Sequence, residues 1–209
     1  MTCTITQGFG ENSNGSYSRD GLNGHPAIDR VCGYKKPILP EKRIYVYKIL
    51  DGYNYTANDG SGFTGVFGID EEGHEWLYGH CDVVAGTGKW YETTDVIGYE
   101  SNHGEVYSGG VRITKAMQDA GDSRGHHTHI QKRECELVED LTKKPLYTYN
   151  WLPLKMNGKF VQVRDYENGY NGCVDWTKDA QRKVLKQLVE AATQVIELLK
   201  LRIQRETKN

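Results

Sequence analysis

This 209-residue chain has no dense run of basic residues. Its 26 lysines and arginines are set against 28 acids, giving a formal net charge of -2, so the electrostatic footprint of a nucleic-acid binder is missing. No stretch is long and apolar enough to span a membrane, and mean hydropathy is -0.67. The segment Met1 to Thr6 lacks a basic n-region and an apolar h-region, so no signal peptide is expected. Such a product either stays in the cell that made it or leaves by lysis or on an assembled particle, and a phage or prophage origin fits that pattern. No Cys-x-x-Cys occurs among Cys3, Cys32, Cys81, Cys135 and Cys173, which argues against a cysteine zinc knuckle. An odd count at wide spacing points to free, mostly buried thiols, with one disulfide left open.

What is abundant is glycine, with 24 residues, and tyrosine, with 14. Glycine between short aromatic and β-branched runs is a β-rich signature. Turn signals fall at Leu22-Asn23-Gly24, Asp51-Gly52, Asn58-Asp59-Gly60 and Glu72-Gly73. Strands are expected at Arg43 to Ile49, Gly65 to Ile69, Glu75 to Tyr78 and His127 to Lys132, with a short helix or turn within Val111 to Ala120. Residues 1–135 therefore read as one small antiparallel β domain. Residues 136–176, broken by Lys144-Pro145 and Leu152-Pro153, read as an ordered extension packed on it.

Residues 177–209 differ in kind. Thr177 is a plausible N-cap, and Leu185, Val189, Ala192, Ile196, Leu199 and Ile203 follow at alternating steps of four and three. Val184, Leu188 and Val195 widen that stripe. An unbroken helix here would run about seven turns. Its apolar face must be covered by the chain's own domain, by a copy of itself in a homo-oligomer, or by a membrane surface. The heptad rhythm favours the copy, and mixed Lys, Arg and Glu on the polar face disfavour the membrane.

Chemistry concentrates in three clusters: His25-Pro26-Ala27-Ile28-Asp29, Tyr78-Gly79-His80 and Gly125-His126-His127-Thr128-His129. Imidazole and carboxylate are both good zinc donors. On a strand, residues 127 and 129 share a face about 6.6 Å apart, which suits one metal ligand and one neighbouring base. Pro26 stiffens the first cluster, and Gly24 permits a close approach beside it. His80 follows a strand end, where a side chain can reach into a cleft. Three ligands, an open position and spare imidazoles are what a hydrolytic zinc site requires. For His74 and His103, a solvated or hydrogen-bonded ring is the simpler reading.

Three motifs in this order, His-x-x-x-Asp, Tyr-x-His and His-x-His, resemble the lysostaphin/LytM family of zinc endopeptidases, which cut bacterial cell-wall peptides. Ile5 to Gly10, Pro37 to Pro40 and Val96-Ile97-Gly98 resemble flanking segments of that family, so the likeness covers roughly residues 4–133. The resemblance implies a mainly β fold, a small antiparallel sheet crossed by a groove, followed here by the C-terminal α-helix. It implies Zn2+ held by His25, Asp29 and His129, with His127 and His80 catalytic. It also implies that a zinc-activated water attacks a peptide carbonyl of peptidoglycan, with His127 as general base and His80 stabilising the oxyanion or sharing the proton work. Ala27 stands where the family has Gly, and Thr128 where it has Leu. Some latent relatives carry an upstream Asn ligand, but nothing singles out Asn12, Asn14 or Asn23.

Two other readings compete. A non-catalytic cell-wall-binding module, or an assembly part of a phage or secretion device, would keep the fold without turnover. A cysteine peptidase built on Cys81 is disfavoured, because adjacent residues on an extended chain point apart.

Overall fold

In the computed structural model the described residues are 2–12, 16–19, 21–138, 151–156, 158–163, 169, 170 and 172–206. The chain forms two units, Met1–Val174 and Asp175–Asn209. In the first, the strands are β1 (Thr4–Gln7), β2 (Ile28–Val31), β3 (Pro37–Ile38), β4 (Ile44–Thr56), β5 (Gly62–Asp70), β6 (Glu75–Gly79), β7 (Cys81–Val83) and β8 (Lys89–Tyr91). They continue with β9 (Gly98–Glu100), β10 (Val106–Ser108), β11 (Val111–Ile113), β12 (Thr128–Arg133), β13 (Cys135–Val138), β14 (Trp151–Met156) and β15 (Lys159–Val163). Two short helices, α1 (Ser16–Arg19) and α2 (Lys115–Asp119), lie between strands. The protein is thus mainly antiparallel β with a C-terminal helix, as the sequence predicts.

The principal sheet has seven strands in the order β1-β2-β12-β6-β5-β4-β8. Long β4 and β5 pair as a hairpin, and β5 continues antiparallel into β6. Ile44, Val46, Val66, Ile69, Trp76, Tyr78 and Ile130 form a core in which none is more than 1% exposed. β6, near the centre of the sheet, is buried at all five positions, which explains why its sequence does not alternate. A three-stranded sheet, β3-β9-β7, stands beside it, and β13-β15-β14 forms another. The predicted element within 111–120 resolves into β11 followed by α2, which Thr114 caps.

Residues 139–150 and 164–168 of the predicted extension lie outside the described residues. Its far end returns to the main sheet: Val174 N donates to Lys132 O (3.0 Å) and the Tyr170 ring meets Phe9 at 4.7 Å.

The expectation of free thiols needs one correction. Cys3 and Cys32 form a disulfide, because the β1–β2 register sets Thr4 opposite Val31 and the flanking cysteines follow. Cys81, Cys135 and Cys173 form no disulfide among the described residues and are buried.

The second unit opens with a 3-10 turn, Trp176–Lys178, and continues as α3 (Asp179–Glu206). Asp175, rather than the expected Thr177, is the cap. Its carboxylate accepts from the Thr177 backbone N–H (3.2 Å) and from the Thr177 hydroxyl (2.5 Å). An ionised acceptor outcompetes a hydroxyl for an orphan N–H. Along α3, Val184, Leu185, Leu188, Val189, Val195, Ile196 and Leu199 are 51% to 62% exposed. No helix among the described residues is long and apolar enough to cross a membrane.

One buried ion pair ties β12 to β6. Arg133 stands directly opposite Glu75, and its guanidinium reaches both carboxylate oxygens, at 2.5 and 2.6 Å. Removing one partner strands a charge away from water. Arg133→Ala is expected to lower the unfolding free energy by about 3–5 kcal/mol. The double variant Arg133→Met, Glu75→Leu, which removes both charges, should lose much less. Urea denaturation checks both, and a loss under about 1 kcal/mol for the single variant would contradict the pair's role.

Candidate metal centre

The three sequence clusters are far apart along the chain, and one strand assembles them. β12 lies between β2 and β6. Its register places His129 directly opposite Asp29 on one side and Gly79, the residue before His80, on the other. The remaining piece, His25, precedes β2 and is 1% exposed. Its backbone is fixed on both sides: its N–H donates to Glu11 O (2.9 Å) and its carbonyl accepts from Gly10 N (2.8 Å). Gly24 makes that approach possible, since a Cβ there would lie 2.3 Å from Gly10 O.

Three donor atoms meet as a result. His25 Nε2 is 3.2 Å from His129 Nδ1 and 3.3 Å from Asp29 Oδ1, and His129 Nδ1 is 3.0 Å from the same oxygen. A tetrahedral ion with ligand bonds of about 2.05 Å separates its donors by about 3.3 Å. The triangle therefore has the size of one face of such a tetrahedron. Hydrogen bonds alone satisfy it poorly, because the two ring nitrogens cannot both donate to Asp29 without facing each other as donors. His25 Nδ1 is buried and has no hydrogen-bond partner among the described residues, so none of them holds the ring by its far side. Burial alone would push the Asp29 carboxyl up, but hydrogen bonds from His129 and His25 and the nearby imidazoles hold it well below the usual carboxylate range. It is therefore ionised despite its burial.

His80 and His127 flank this triangle. Their ring centroids are 4.4 Å apart, and His127 Nε2 is 3.7 Å from Asp29 Oδ2. Each ring has its Nδ1 against a backbone carbonyl: His80 on His103 O (2.5 Å) and His127 on Gly125 O (2.8 Å). A carbonyl only accepts, so both Nδ1 atoms carry the proton and both Nε2 atoms are bare. Burial lowers the affinity of both rings for a second proton. For His80 the neighbouring His127 and His129 lower it further, and for His127 burial outweighs the pull of Asp29. Both rings are therefore neutral proton acceptors. The Phe63 ring stands edge-on to His80 at 4.6 Å.

The other sequence candidates take structural places. His126 binds buried Glu100 (2.5 Å), whose carboxylate also accepts from Cys32 N and Gly33 N. Tyr78 is buried, and its hydroxyl accepts from Glu41 N at 2.8 Å, so the tyrosine of Tyr-x-His faces the core. Asn12 donates to Ser18 Oγ and Asn23 O, and Asn14 lies outside the described residues. The Cys81 thiol is buried and pushed up to about 12, which leaves it inert as a nucleophile. A second acid-histidine cluster, Asp70, Glu72 and His74, holds the β5–β6 turn. Asp70 accepts from Glu72 N, His74 N and the Trp76 indole, so its oxygens are already used. Sequence reasoning missed Glu100 and the pairing of His103 with Asp82 (2.6 Å), which join residues with no motif around them.

Fold and centre together define a β domain with a two-histidine, one-aspartate donor set and two neutral imidazoles beside it. Comparison of the sequence with protein-family models and with curated proteins gives no match. Among solved structures, the chain is similar to LytU, at 21% identity over 64% of this chain and 74% of that one, with a TM-score of 0.45. It is similar to the catalytic domain of lysostaphin from Staphylococcus simulans, an antimicrobial peptidase, at 12% identity over 86% and 92%, with a TM-score of 0.46. A zinc-containing peptidase from Vibrio cholerae is similar at 14% identity over 62% and 32%, with a TM-score of 0.43.

The donor triangle is expected to take up one Zn2+ per chain. His129→Ala should abolish that uptake, while His127→Ala should keep it. Metal analysis after gel filtration checks this, and finding both variants metal-free would contradict the division between the two histidines.

Proposed function

We propose that this chain is a zinc-dependent endopeptidase that hydrolyses peptide bonds of bacterial peptidoglycan, in a stem peptide or a cross-bridge. The observation that carries the proposal is the donor triangle of His25, Asp29 and His129, with edges of 3.0–3.3 Å, flanked by two neutral imidazoles. These three residues would hold the ion, which when bound polarises a carbonyl oxygen and acidifies water. His127, with its Nδ1 proton committed to Gly125 O, offers a bare Nε2 to the proton of the attacking water. His80, fixed by His103 O, also has a bare Nε2. It must accept a proton before it can donate one, so its tautomer favours a share in proton transfer over direct hydrogen bonding to an oxyanion. Burial keeps both rings uncharged at neutral pH, the state in which they can act as bases.

In this reading residues 1–135 are the peptidase domain, 136–176 an extension of it, and 177–209 a helix for assembly. Action at the bacterial cell wall follows from the substrate. The alternative is a binding or assembly module that keeps the fold without turnover, and catalysis by zinc-loaded protein separates the two.

Incubation with purified sacculi of several cross-link types, followed by mass spectrometry, is expected to show new peptide ends released in a chelator-sensitive manner. His127→Ala should lower that rate by about 100-fold to 10,000-fold. No release from any sacculus by zinc-loaded protein would favour the module without turnover.

The same proposal assigns the exposed stripe of α3 to a second copy of the chain. Valine and isoleucine at 189, 196 and 203 alternate with Leu185, Ala192 and Leu199, the β-branched and leucine pattern of a short coiled coil. Light scattering should then give a multiple of the 23.7 kDa chain mass, and Val189→Lys with Ile196→Lys should return the monomer. A monomeric full-length chain would contradict the assignment.

A further inference from the structure

His80 is held in an unusual way. Its φ is +57°, in the left-handed region, and among the described residues only Lys35, at +60°, shares that feature without being glycine. Such a backbone is costly for a residue with a Cβ and persists only where its surroundings impose it. The position explains the demand. β6 belongs to the seven-stranded sheet and β7 to the β3-β9-β7 sheet, and His80 is the single residue between them. Its N–H donates to Thr64 O of β5 (2.9 Å) and its carbonyl accepts from Ser101 N (3.1 Å), just past β9, so the hinge is clamped on both sides.

A continuous set of polar contacts joins the two strained residues. The Lys35 ammonium binds one oxygen of Asp82, and His103 Nε2 binds the other at 2.6 Å. The backbone carbonyl of His103 then receives the Nδ1 proton of His80 at 2.5 Å. Burial would raise the Asp82 carboxyl, but hydrogen bonds from Lys35 and His103 hold it below the usual carboxylate range. The loop that carries this carbonyl is fixed on both sides of residue 103. Gln118 of α2 donates to Asn102 O (2.7 Å) and Gly104 O (3.0 Å), and Asn102 donates to Asp122 O and Arg124 O. α2 is itself tied down, because Asp59 in the β4–β5 turn accepts from Lys115 N (3.0 Å).

We propose that Asp82 and His103 are positioning residues for His80: they hold the residue-103 carbonyl against its Nδ1 and so select the tautomer whose Nε2 is bare. They act through the loop and do not reach the donor triangle among the contacts of the described residues. The proposal rests on the peptidase reading for its consequence in turnover, but the tautomer itself does not. A His103 ring tied to Asp82 restricts the loop; an untied ring leaves His80 free to exchange the Nδ1 proton for an Nε2 proton and lose its acceptor.

The test is side-chain 15N NMR of the histidines in the purified full chain, with and without added Zn2+, with His80 assigned from the spectrum of His80→Gln. Wild type is expected to show His80 with Nδ1 protonated and Nε2 bare. His103→Ala and Asp82→Asn should show a mixture of tautomers, and His103→Gln, which still offers a donor to Asp82, should restore the single form. His103 is more than a third exposed in its side chain, so its replacement leaves the core untouched. In turnover, His103→Ala should lower kcat by about 10- to 100-fold with KM unchanged. An unaltered His80 signature in His103→Ala and Asp82→Asn would overturn the proposal even if the wild type cleaves peptide. A shifted signature in a protein that cleaves nothing would uphold it and remove the peptidase reading instead.

Discussion

Everything specific to this protein depends on where β12 pairs. Inserted between β2 and β6, it brings a histidine opposite an aspartate that lies 100 positions earlier in the chain. It also brings the end of β6, and so His80, to the same place. A one-residue slip would turn every side chain of β12 to the other face and dissolve the donor triangle. The buried Arg133–Glu75 pair sits at the far end of the same β12–β6 ladder. A charge pair without access to water tolerates no other register, so it works as a pin as much as a source of stability.

The centre combines two opposite electrostatic demands. Asp29 must stay ionised while buried, and His80 and His127 must stay neutral beside it. Both follow from how each group is hydrogen-bonded. The carboxylate is surrounded by imidazole nitrogens, whereas each of the two outer imidazoles gives its one proton to a backbone carbonyl. Fixed main-chain acceptors need no reorganisation as charge moves, which is the general advantage of a preorganised polar site. The strained hinge at His80 belongs to the same logic: a left-handed residue between two sheets is costly, and several backbone and side-chain contacts share the work of holding it.

Much of this was legible in the sequence because the chemistry sits in short motifs. His-x-x-x-Asp, Tyr-x-His and His-x-His each mark a local spacing, and turn residues mark most strand ends. The β-rich class and the strands around residues 43–49, 65–69, 75–78 and 127–132 could be read from short aromatic and β-branched runs and glycine punctuation. What could not be read depends on contacts between distant positions. The Cys3–Cys32 bond follows from the β1–β2 register, which no cysteine spacing encodes. Glu100 and Asp82 look like ordinary surface acids until the fold places His126 and His103 against them. Thr177 was a reasonable cap by residue type, but Asp175 two positions earlier is the stronger acceptor.

We propose that residues 25, 29 and 129 share one ion. Anomalous diffraction at the zinc absorption edge, on crystals grown with Zn2+, tests it most directly. One strong peak is expected within bonding distance of His25 Nε2, Asp29 and His129 Nδ1. A peak confined to the Asp70–His74 turn, or none inside the triangle at full zinc loading, would contradict it.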